Sequence, residues 1–361
     1  MPSGVLAYTF SGFVLTSCPN CDTIRSRISA PGFGNERRRA METGAMQALY
    51  ERLLPLFSKK QLMENVPMSR YTTLHLGGPA QLLCEPDGPE QLSAAFQAAR
   101  ELNVPVTLIG NGSNLLVKDG GIRGLVIHMG ERFSEVSEPA PLPDGRFAIT
   151  AQAGASLQKL SRAAADHGLT GLEFAAGIPG TVGGAAYMNA GAYGGELKDV
   201  VTLVTAMEQS GRNVAYTPGE LHMSYRHSRF SDESVPSAIL SVTVALQPGD
   251  PETIHATMRE FAARRREKQP LSVPGCGSTF KRPEGQFAGT LIDNAGLKGL
   301  RVGGASVSTL HAGFLVNDEN GTTADYLALI AAVQKAVQEH SGVWLEPEVR
   351  ILGEDVPVSP A

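Results

Sequence analysis

Helical and strand-like patterns of apolar residues alternate along this chain. Apolar positions three or four residues apart predict helices, and these fall within Leu49–Leu62, Pro89–Leu102, Ser156–His167, Pro251–Glu267, Phe287–Ala295 and Thr322–Ser341. Ser156 is a typical N-cap and Gly168 a typical helix stop. The pattern therefore predicts helices in both halves of the chain.

Short runs of β-branched and apolar residues predict the strands. They are Val104–Ile109, Leu115–Val117, Leu125–His128, Phe147–Ala153, Val200–Glu208, Ile239–Leu246 and Leu345–Leu352, with further short strands at Val302 and Val307. Arg70–Glu85 predicts strand, turn and strand around Gly77-Gly78-Pro79. Because the turns are frequent and rich in glycine, the predicted fold class is α+β rather than a doubly wound parallel sheet.

One stretch, Ala175–Glu196, breaks both patterns. It holds seven glycines, Gly177, Gly180, Gly183, Gly184, Gly191, Gly194 and Gly195, and each glycine inside a helix costs roughly 1 kcal/mol relative to alanine. The sequence therefore predicts neither helix nor strand there. Glycine permits close approach of bare backbone to a ligand, so we expect a flat, phosphate-bearing cofactor, the alternative being a tightly turned core loop.

A second glycine-rich loop, Gly110-Asn111-Gly112-Ser113-Asn114, follows a predicted strand. It begins like a dinucleotide fingerprint, but the third glycine is missing and the chain continues into Leu115–Val117 rather than a helix. A Rossmann site needs that helix N-terminus to hold the pyrophosphate. What remains is a nest of backbone N–H groups, which also binds phosphate. The two loops together suit an extended dinucleotide.

Composition narrows the classes of protein. The 361 residues predict two or three domains, and a net charge of −5 gives no basic surface for nucleic acid. Four cysteines are typical of a reducing cytosol. Cys18 and Cys21 form a lone C-x-x-C pair without further ligands, so no metal site is predicted.

Residues 1–45 differ from the rest of the chain. Arg37-Arg38-Arg39 and scattered Gly, Ser and Pro predict a poorly ordered leader. An alternative hypothesis is that translation begins at Met41 or Met46.

Several longer motifs are similar to those of a known family. In order, they are TTLHLGGPA, GNGSNLLV, AAGIPGTVGGAAYMNAGAYGGE, SYRHSRF, GSTFKRP, AGTLIDNAGLKGLRVGGASVS, HAGFLVN and WLEPEVRILG. From about Arg70 to Gly353 the chain resembles the UDP-N-acetylenolpyruvoylglucosamine reductases, flavoproteins that make UDP-N-acetylmuramate for peptidoglycan. It resembles the shorter branch, which lacks a tyrosine-bearing insertion.

The resemblance implies a domain order. We expect an N-terminal helical segment at 46–69, an FAD-binding domain of the vanillyl-alcohol-oxidase type at 70–247, a substrate-binding domain at 248–353 and a tail at 354–361. It also implies non-covalent FAD, NADPH as hydride donor, and a cytoplasmic monomer acting in cell wall synthesis, cell shape and division.

Three catalytic residues follow from the resemblance: Arg226 and Glu348 beside the substrate carboxylate, and Ser278 as proton donor. The chemistry requires such groups, since charge builds on the carboxylate and a proton must reach the α-carbon. Taken without the resemblance, Ser278 is a turn serine, Glu348 a partner of Arg350, and Arg226 a phosphate ligand or a partner of Asp232.

The expected ligand contacts are more numerous. Cofactor contacts are expected from Gly110, Asn111, Gly112, Ser113, Asn114, Gly177, Ile178, Pro179, Gly180, Thr181, Gly183 and Gly184, and substrate contacts from Tyr225, Lys268, Arg282 and Arg301. Arg282 departs from the family pattern, in which asparagine is usual.

Two other functions compete with the reductase. A flavin-dependent alcohol oxidase of the same superfamily commonly tethers its flavin through His or Cys, and the glycine-rich loops contain no histidine. A non-catalytic flavin or nucleotide-sugar binding protein would not need Arg226, Ser278 and Glu348 together.

Overall fold

The computed structural model describes residues 44–232 and 237–356. Most of the predicted leader, including Cys18, Cys21 and Met41, and the last five residues of the tail lie outside the described residues. Within the described part, no helix is both long enough and apolar enough to cross a membrane.

The helices follow the predicted periodicity closely. They are α1 (44–53), α2 (Pro89–Glu101), α3 (Leu157–Asp166), α4 (Val182–Met188), α5 (Arg229–Asp232), α6 (Pro251–Lys268), α7 (Ala288–Asn294) and α8 (Thr323–Ser341). The Ser156 side chain accepts a hydrogen bond from the Lys159 N–H, which confirms that N-cap. The first prediction was too long: α1 ends at residue 53, and Leu62 begins a strand.

The strands are short. They are β1 (Leu62–Pro67), β2 (Pro79–Cys84), β3 (Val106–Ile109), β4 (Leu115–Val117), β5 (Ile122–His128), β6 (Ala140–Pro141), β7 (Phe147–Gln152), β8 (Leu169–Thr170), β9 (Gly191–Ala192), β10 (Gly195–Glu196), β11 (Val201–Met207), β12 (Asn213–Tyr216), β13 (Ala238–Pro248), β14 (Arg301–Val302), β15 (Ala305–Val307), β16 (Leu315–Asn317) and β17 (Arg350–Leu352). Their number and the mixture with helices confirm the α+β class.

Two strand predictions were wrong. The first arm of Arg70–Glu85 is not a strand: a 3₁₀ turn at Met68–Arg70 and further turns lead to β2. The Thr72 hydroxyl donates to the Leu76 carbonyl at 2.8 Å, a local bond that competes with strand pairing. The second error is at the C-terminus, where only Arg350–Leu352 of Leu345–Leu352 pairs as a strand.

Two sheets form the larger part of the fold. The first has the order β1-β2-β5-β3, with β1 antiparallel and the other neighbours parallel. The second is antiparallel, in the order β12-β11-β13-β7-β6, with β8 also on β13. Side chains alternate between the faces of a strand, and the first sheet is buried on both faces, with Leu82 in one core and Leu83 in another.

The C-terminal part has its own core. α7, α8 and the sheet β14-β15-β16 enclose buried side chains that include Ile292, Leu315 and Leu329. Leu74 and Leu116, from the N-terminal part, belong to the same core. β17 pairs in parallel with β4. The chain therefore returns to the glycine-rich loop that precedes β4.

The packing of α1 generates a stability prediction. Leu53 is fully buried in the main core, whereas its neighbour Leu54 is 42% exposed. Leu53→Ala should lower the free energy of unfolding by about 2–5 kcal/mol through lost burial and a cavity. Leu54→Ala is the matched control and should change it little. Thermal unfolding of both variants measures the difference, and equal midpoints would contradict the packing of α1.

Candidate active site

A cleft of about 460 Å³ brings together residues that are far apart in sequence. Its lining includes all three predicted catalytic residues, Arg226, Ser278 and Glu348, together with Tyr225 and Arg282. Sequence alone could not show this proximity, because the three come from a turn before α5, a loop before α7 and the segment before β17.

Glu348 is fixed at its backbone as well as its side chain. Its N–H donates to the Thr279 carbonyl at 2.8 Å, and its own carbonyl accepts from Asn114 Nδ2 at 3.1 Å. On the side chain, Oε1 accepts from Arg226 Nε at 2.8 Å and Oε2 accepts from the Tyr225 hydroxyl at 3.3 Å. The carboxylate is therefore aimed into the cleft with little freedom.

The alternative ion pairs do not form. Arg350, two residues beyond Glu348, lies instead with its guanidinium 4.8 Å from the centre of the Tyr187 ring. Asp232, the other partner considered for Arg226, pairs with His227 at 2.9 Å.

Arg226 lies at the tip of a tight turn. Ser224 and His227 exchange backbone hydrogen bonds that close the turn, and Arg226 has φ of +53°, a left-handed conformation that is unfavourable for a side chain with a Cβ. Its Nη2 donates to the Gly191 carbonyl at 3.2 Å. The surrounding contacts therefore hold a strained residue in place, as is common at functional sites.

Asn189 holds this turn in place through hydrogen bonds. It is fully buried and takes the left-handed C-cap position of α4. Its Nδ2 donates to Glu196 Oε2 at 2.7 Å and to the Ser224 carbonyl at 2.9 Å, while Oδ1 accepts from the Lys198 N–H at 3.0 Å. The glycine-rich segment is thereby bonded directly to the turn that carries Arg226.

Ser278 projects from a loop that is held on one side. Ser278 is exposed, and the preceding Gly277 has φ of +81° with open space around it. Cys276 and Thr279 on either side are buried. The hydroxyl therefore faces the cleft while its neighbours anchor the loop.

Burial sets the protonation of two further groups in the cleft. It raises the pKa of Tyr225, with Glu348 adding to the effect, so the phenol stays protonated and can donate to Glu348. Burial also lowers the pKa of His311, which favours the neutral imidazole. His311 Nδ1 accepts from the Gly313 N–H at 3.1 Å, which leaves the proton of the neutral ring on Nε2.

The two glycine-rich loops lie against each other. The Asn111 amide donates to the Pro179 carbonyl, and a Cβ on Gly110 would clash with the Thr181 hydroxyl. This contact is possible only because Gly110 has no side chain. The Asn114 side-chain amide donates to the Glu348 carbonyl at 3.1 Å, and its cofactor contact stays a prediction.

The prediction that Ala175–Glu196 forms neither helix nor strand was wrong. The short strands β9 and β10 pair antiparallel within it. Val182–Met188 forms α4, and it contains Gly183 and Gly184. Tertiary packing outweighs the glycine penalty: a Cβ on Gly183 would lie 2.8 Å from that of Ala153, so the helix packs where only glycine fits. Thr181 caps the first turn by accepting from the Gly184 N–H at 3.2 Å.

Polar groups beside these loops fit a phosphate-bearing dinucleotide. Thr73 lies between the loops of Gly112 and Gly275, and its hydroxyl oxygen is buried without a hydrogen-bond partner among the described residues. The Arg265 guanidinium lies 3.3 Å from a Cβ built on Gly177, and burial lowers its pKa. No carboxylate of the described residues forms an ion pair with Arg265. An anion beside Gly177 would pair with Arg265, and a ligand group beside Gly112 would complete the hydrogen bonding of Thr73.

Of the four predicted substrate contacts, two line the cleft and two do not. Tyr225 and Arg282 line the cleft, and the Arg282 guanidinium lies 4.7 Å from the centre of the Phe287 ring. Lys268 and Arg301 are not among the residues that line it. Lys268 is the last residue of α6, and Arg301 donates to both oxygens of Asp318 at 2.9 and 3.0 Å. Among the described residues, no cluster of three or more His, Cys, Asp or Glu could hold a metal ion.

Sequence reasoning missed Thr73, Asn189 and Arg265. Asparagine is a common left-handed C-cap, but this signal for Asn189 could be used only once the preceding helix α4 was known. Arg265 belongs to the triplet Arg264–Arg266 in the last turns of α6, a run of charges that is typical of a solvated helix end. Its half-buried position against Gly177 depends on how α6 packs, which the triplet does not reveal.

Family models match two parts of the chain. Residues 80–216 match an FAD binding domain, and residues 269–352 match the C-terminal domain of UDP-N-acetylenolpyruvoylglucosamine reductase. The cleft residues Ser278 and Glu348 lie within the second match.

Curated relatives and a solved structure extend this likeness. UDP-N-acetylenolpyruvoylglucosamine reductase of Lactobacillus delbrueckii subsp. bulgaricus is 48% identical over 294 residues, which is 81% of this chain and 96% of the relative. The enzyme of the same name from Limosilactobacillus fermentum is 47% identical, covering 84% and 98%. A crystal structure of the reductase from Thermus caldophilus has a TM-score of 0.68 at 36% identity, covering 80% of this chain and 98% of that one.

The contact between the loops generates a prediction. Gly110→Ala should destabilise the protein by about 1–3 kcal/mol, because its Cβ would clash with the Thr181 hydroxyl, which caps α4 from a buried side chain. Gly219→Ala is the control, since a Cβ there has nothing within 4 Å. Differential scanning calorimetry compares the two, and an unchanged midpoint for Gly110→Ala would show that the loops separate readily.

Proposed function

Since this chain belongs to the family of UDP-N-acetylenolpyruvoylglucosamine reductases, we propose that its cleft reduces UDP-N-acetyl-3-O-(1-carboxyvinyl)glucosamine to UDP-N-acetylmuramate with NADPH, a step in peptidoglycan precursor synthesis. The observation that carries the proposal is the convergence of Arg226, Ser278 and Glu348 on one cleft beside the glycine-rich loops. The chain is an FAD-dependent oxidoreductase on the same grounds.

When bound, FAD supplies a redox centre that takes a hydride from NADPH and gives it to the β-carbon of the enol ether. The loops at Gly110–Asn114 and Gly177–Gly184 would hold it through backbone N–H groups, which bind phosphate. Thr73 and Arg265 add a hydroxyl and a cation that are otherwise unmatched. This chain's own residues then control charge and proton transfer on the substrate.

Charge control falls to Arg226 and Glu348. Addition of hydride at the β-carbon pushes negative charge onto the neighbouring carboxylate, and a guanidinium already fixed in place stabilises that charge without reorganising. The Arg226 side chain is only 25% exposed, so its attraction to a bound carboxylate is weakly screened, and Glu348, 12% exposed, holds the guanidinium in place. Tyr225 holds the second oxygen of Glu348 and keeps the carboxyl group oriented.

Proton delivery falls to Ser278. Its hydroxyl is exposed to the cleft while the loop on both sides is buried, so Oγ can approach the substrate α-carbon. In this proposal the Ser278 proton moves to the α-carbon after hydride has reached the β-carbon.

Several finer assignments belong to the same proposal. The domains are taken as 46–69, 70–247 and 248–353, with substrate contacts from Tyr225 and Arg282 and weaker support for Lys268 and Arg301. The protein is proposed to act as a cytoplasmic monomer without nucleic-acid partners, in keeping with its net charge of −5.

The first functional prediction concerns the cofactor. The protein should purify yellow with FAD bound non-covalently, because the glycine-rich loops carry no tethering histidine or cysteine. Acid precipitation should release all flavin into the supernatant, as measured by absorbance. Flavin retained in the pellet would reveal a covalent link and favour the alcohol oxidase.

The second functional prediction separates the two half-reactions. Ser278→Ala should leave NADPH reduction of the flavin near normal and slow reoxidation by the enolpyruvyl substrate by about 10²–10⁴-fold, the usual worth of a positioned proton donor. Glu348→Gln should likewise slow reoxidation and leave reduction by NADPH near normal. Stopped-flow flavin absorbance measures each step.

The control for this experiment is Ser272→Ala, an exposed serine of the same loop region that does not line the cleft. It should leave both steps unchanged. Equal slowing of both steps by Ser278→Ala would mean that Ser278 shapes the flavin site, and the proton-donor role would fail.

A further inference from the structure

A buried tyrosine lies directly beneath the loop of Ser278. Tyr326, in the first turn of α8, is fully buried, and its hydroxyl contacts two side chains of that loop. The distances are 3.1 Å to Thr279 Oγ1 and 3.4 Å to Cys276 Sγ. Burying a hydroxyl in an apolar core costs free energy unless the hydroxyl is hydrogen-bonded. The hydrogen-bond partners of Tyr326 therefore fix the position of its hydroxyl.

The hydrogen bonds form a closed circuit. The Leu315 N–H donates to Thr279 Oγ1 at 3.2 Å, and the Tyr326 hydroxyl donates to the Leu315 carbonyl at 3.0 Å. With both of those protons assigned, the Thr279 hydroxyl proton must point to the Tyr326 oxygen. Each hydroxyl therefore donates once and accepts at least once. Leu315 of β16 bonds the loop through its N–H and α8 through its carbonyl.

Thr279 passes this restraint to both sides of the cleft. It directly follows Ser278, and its carbonyl accepts the Glu348 N–H at 2.8 Å. Its own N–H donates to the Gly313 carbonyl at 3.0 Å. Every polar group of Thr279 is thus bonded, and one residue sets the positions of Ser278 and Glu348 together.

The helix that carries Tyr326 is itself anchored near the glycine-rich loop. The Thr323 hydroxyl donates to the Val117 carbonyl at 2.7 Å, and the N–H groups of Thr323 and Ala324 donate to the Asp119 carboxylate at 3.1 Å each. Val117 ends β4, which begins directly after Asn114. The first turn of α8 is therefore bonded on one side to β4, which follows the glycine-rich loop Gly110–Asn114, and on the other side to the loop of Ser278.

On the side of Gly277 the loop is open, since a Cβ built there would meet no atom of the described residues within 4 Å. We propose that the Tyr326 hydroxyl is a positioning group that fixes Ser278 and Glu348, through Thr279, at the distance from the cofactor that the second half-reaction needs. This inference rests on the proposed function. It assigns no contact between Tyr326 and the substrate.

The test uses isosteric variants of the flavin-loaded protein. Tyr326→Phe and Thr279→Val each remove one hydroxyl from the circuit and keep the side-chain volume. Each should slow reoxidation by the enolpyruvyl substrate by about 10–100-fold, the scale of a small misplacement of a reacting group. Reduction by NADPH should stay unchanged, because it does not use Ser278.

Three further variants separate positioning from simple stability. Thr279→Ser keeps Oγ1 and should restore reoxidation, and Tyr216→Phe, a buried tyrosine of β12 outside the cleft, should leave both steps unchanged. The double variant Tyr326→Phe/Thr279→Val should be no slower than the worse single variant, since both break one circuit.

The outcomes are distinguishable from failure of the proposed function. If the unaltered protein reduces the substrate and Ser278→Ala blocks reoxidation, but Tyr326→Phe and Thr279→Val do not slow it, the positioning role is wrong and the function stands. Equal slowing of both half-reactions, together with a lower unfolding midpoint, also overturns the inference, because the hydroxyl would then only stabilise the core. An unaltered protein that does not reduce the substrate overturns the proposed function itself.

Discussion

The ion pair between Arg226 and Glu348 is the interaction on which the site depends. A carboxylate and a guanidinium held 2.8 Å apart and largely shielded from water are costly to bury unless their remaining hydrogen bonds are made. The fold makes them: Tyr225 and Gly191 bond the side chains, and the backbone of Glu348 is bonded on both sides. Three distant segments must therefore arrive together for the pair to exist.

Glycines without side chains allow these segments to pack closely enough to meet. Gly110 contacts Thr181, and Gly183 contacts Ala153, at distances that a Cβ would not allow. The loops can therefore pack on each other and still leave N–H groups for a phosphate. Asn189 and Asn114 then bond the glycine-rich segments to the turn of Arg226 and to Glu348. The same loops that suit a phosphate-bearing cofactor are thus bonded to the segments that carry Arg226 and Glu348.

Local patterns in the sequence were sufficient for most elements of the fold. The helices α2, α3, α6, α7 and α8 and the long strands match the predicted ranges within a few residues, because apolar periodicity reports which face is buried. The errors occur where contacts from distant segments decide. α4 forms despite two glycines because its close packing against neighbouring backbone leaves no room for a side chain at Gly183. The segment after Arg70 forms turns rather than a strand because the Thr72 hydroxyl bonds the Leu76 carbonyl.

The identity of the candidate catalytic residues was also determined by the sequence, because the motifs around Arg226, Ser278 and Glu348 are long and specific. Their geometry was not. Whether Glu348 pairs with Arg226 or Arg350 depends on the packing of segments more than a hundred residues apart. Whether Arg301 faces the cleft depends on its bonds to Asp318, and the loop of Ser278 is anchored by Tyr326 of α8. Hydrogen bonds between such segments leave no periodic pattern in either one, so only the tertiary structure decided them.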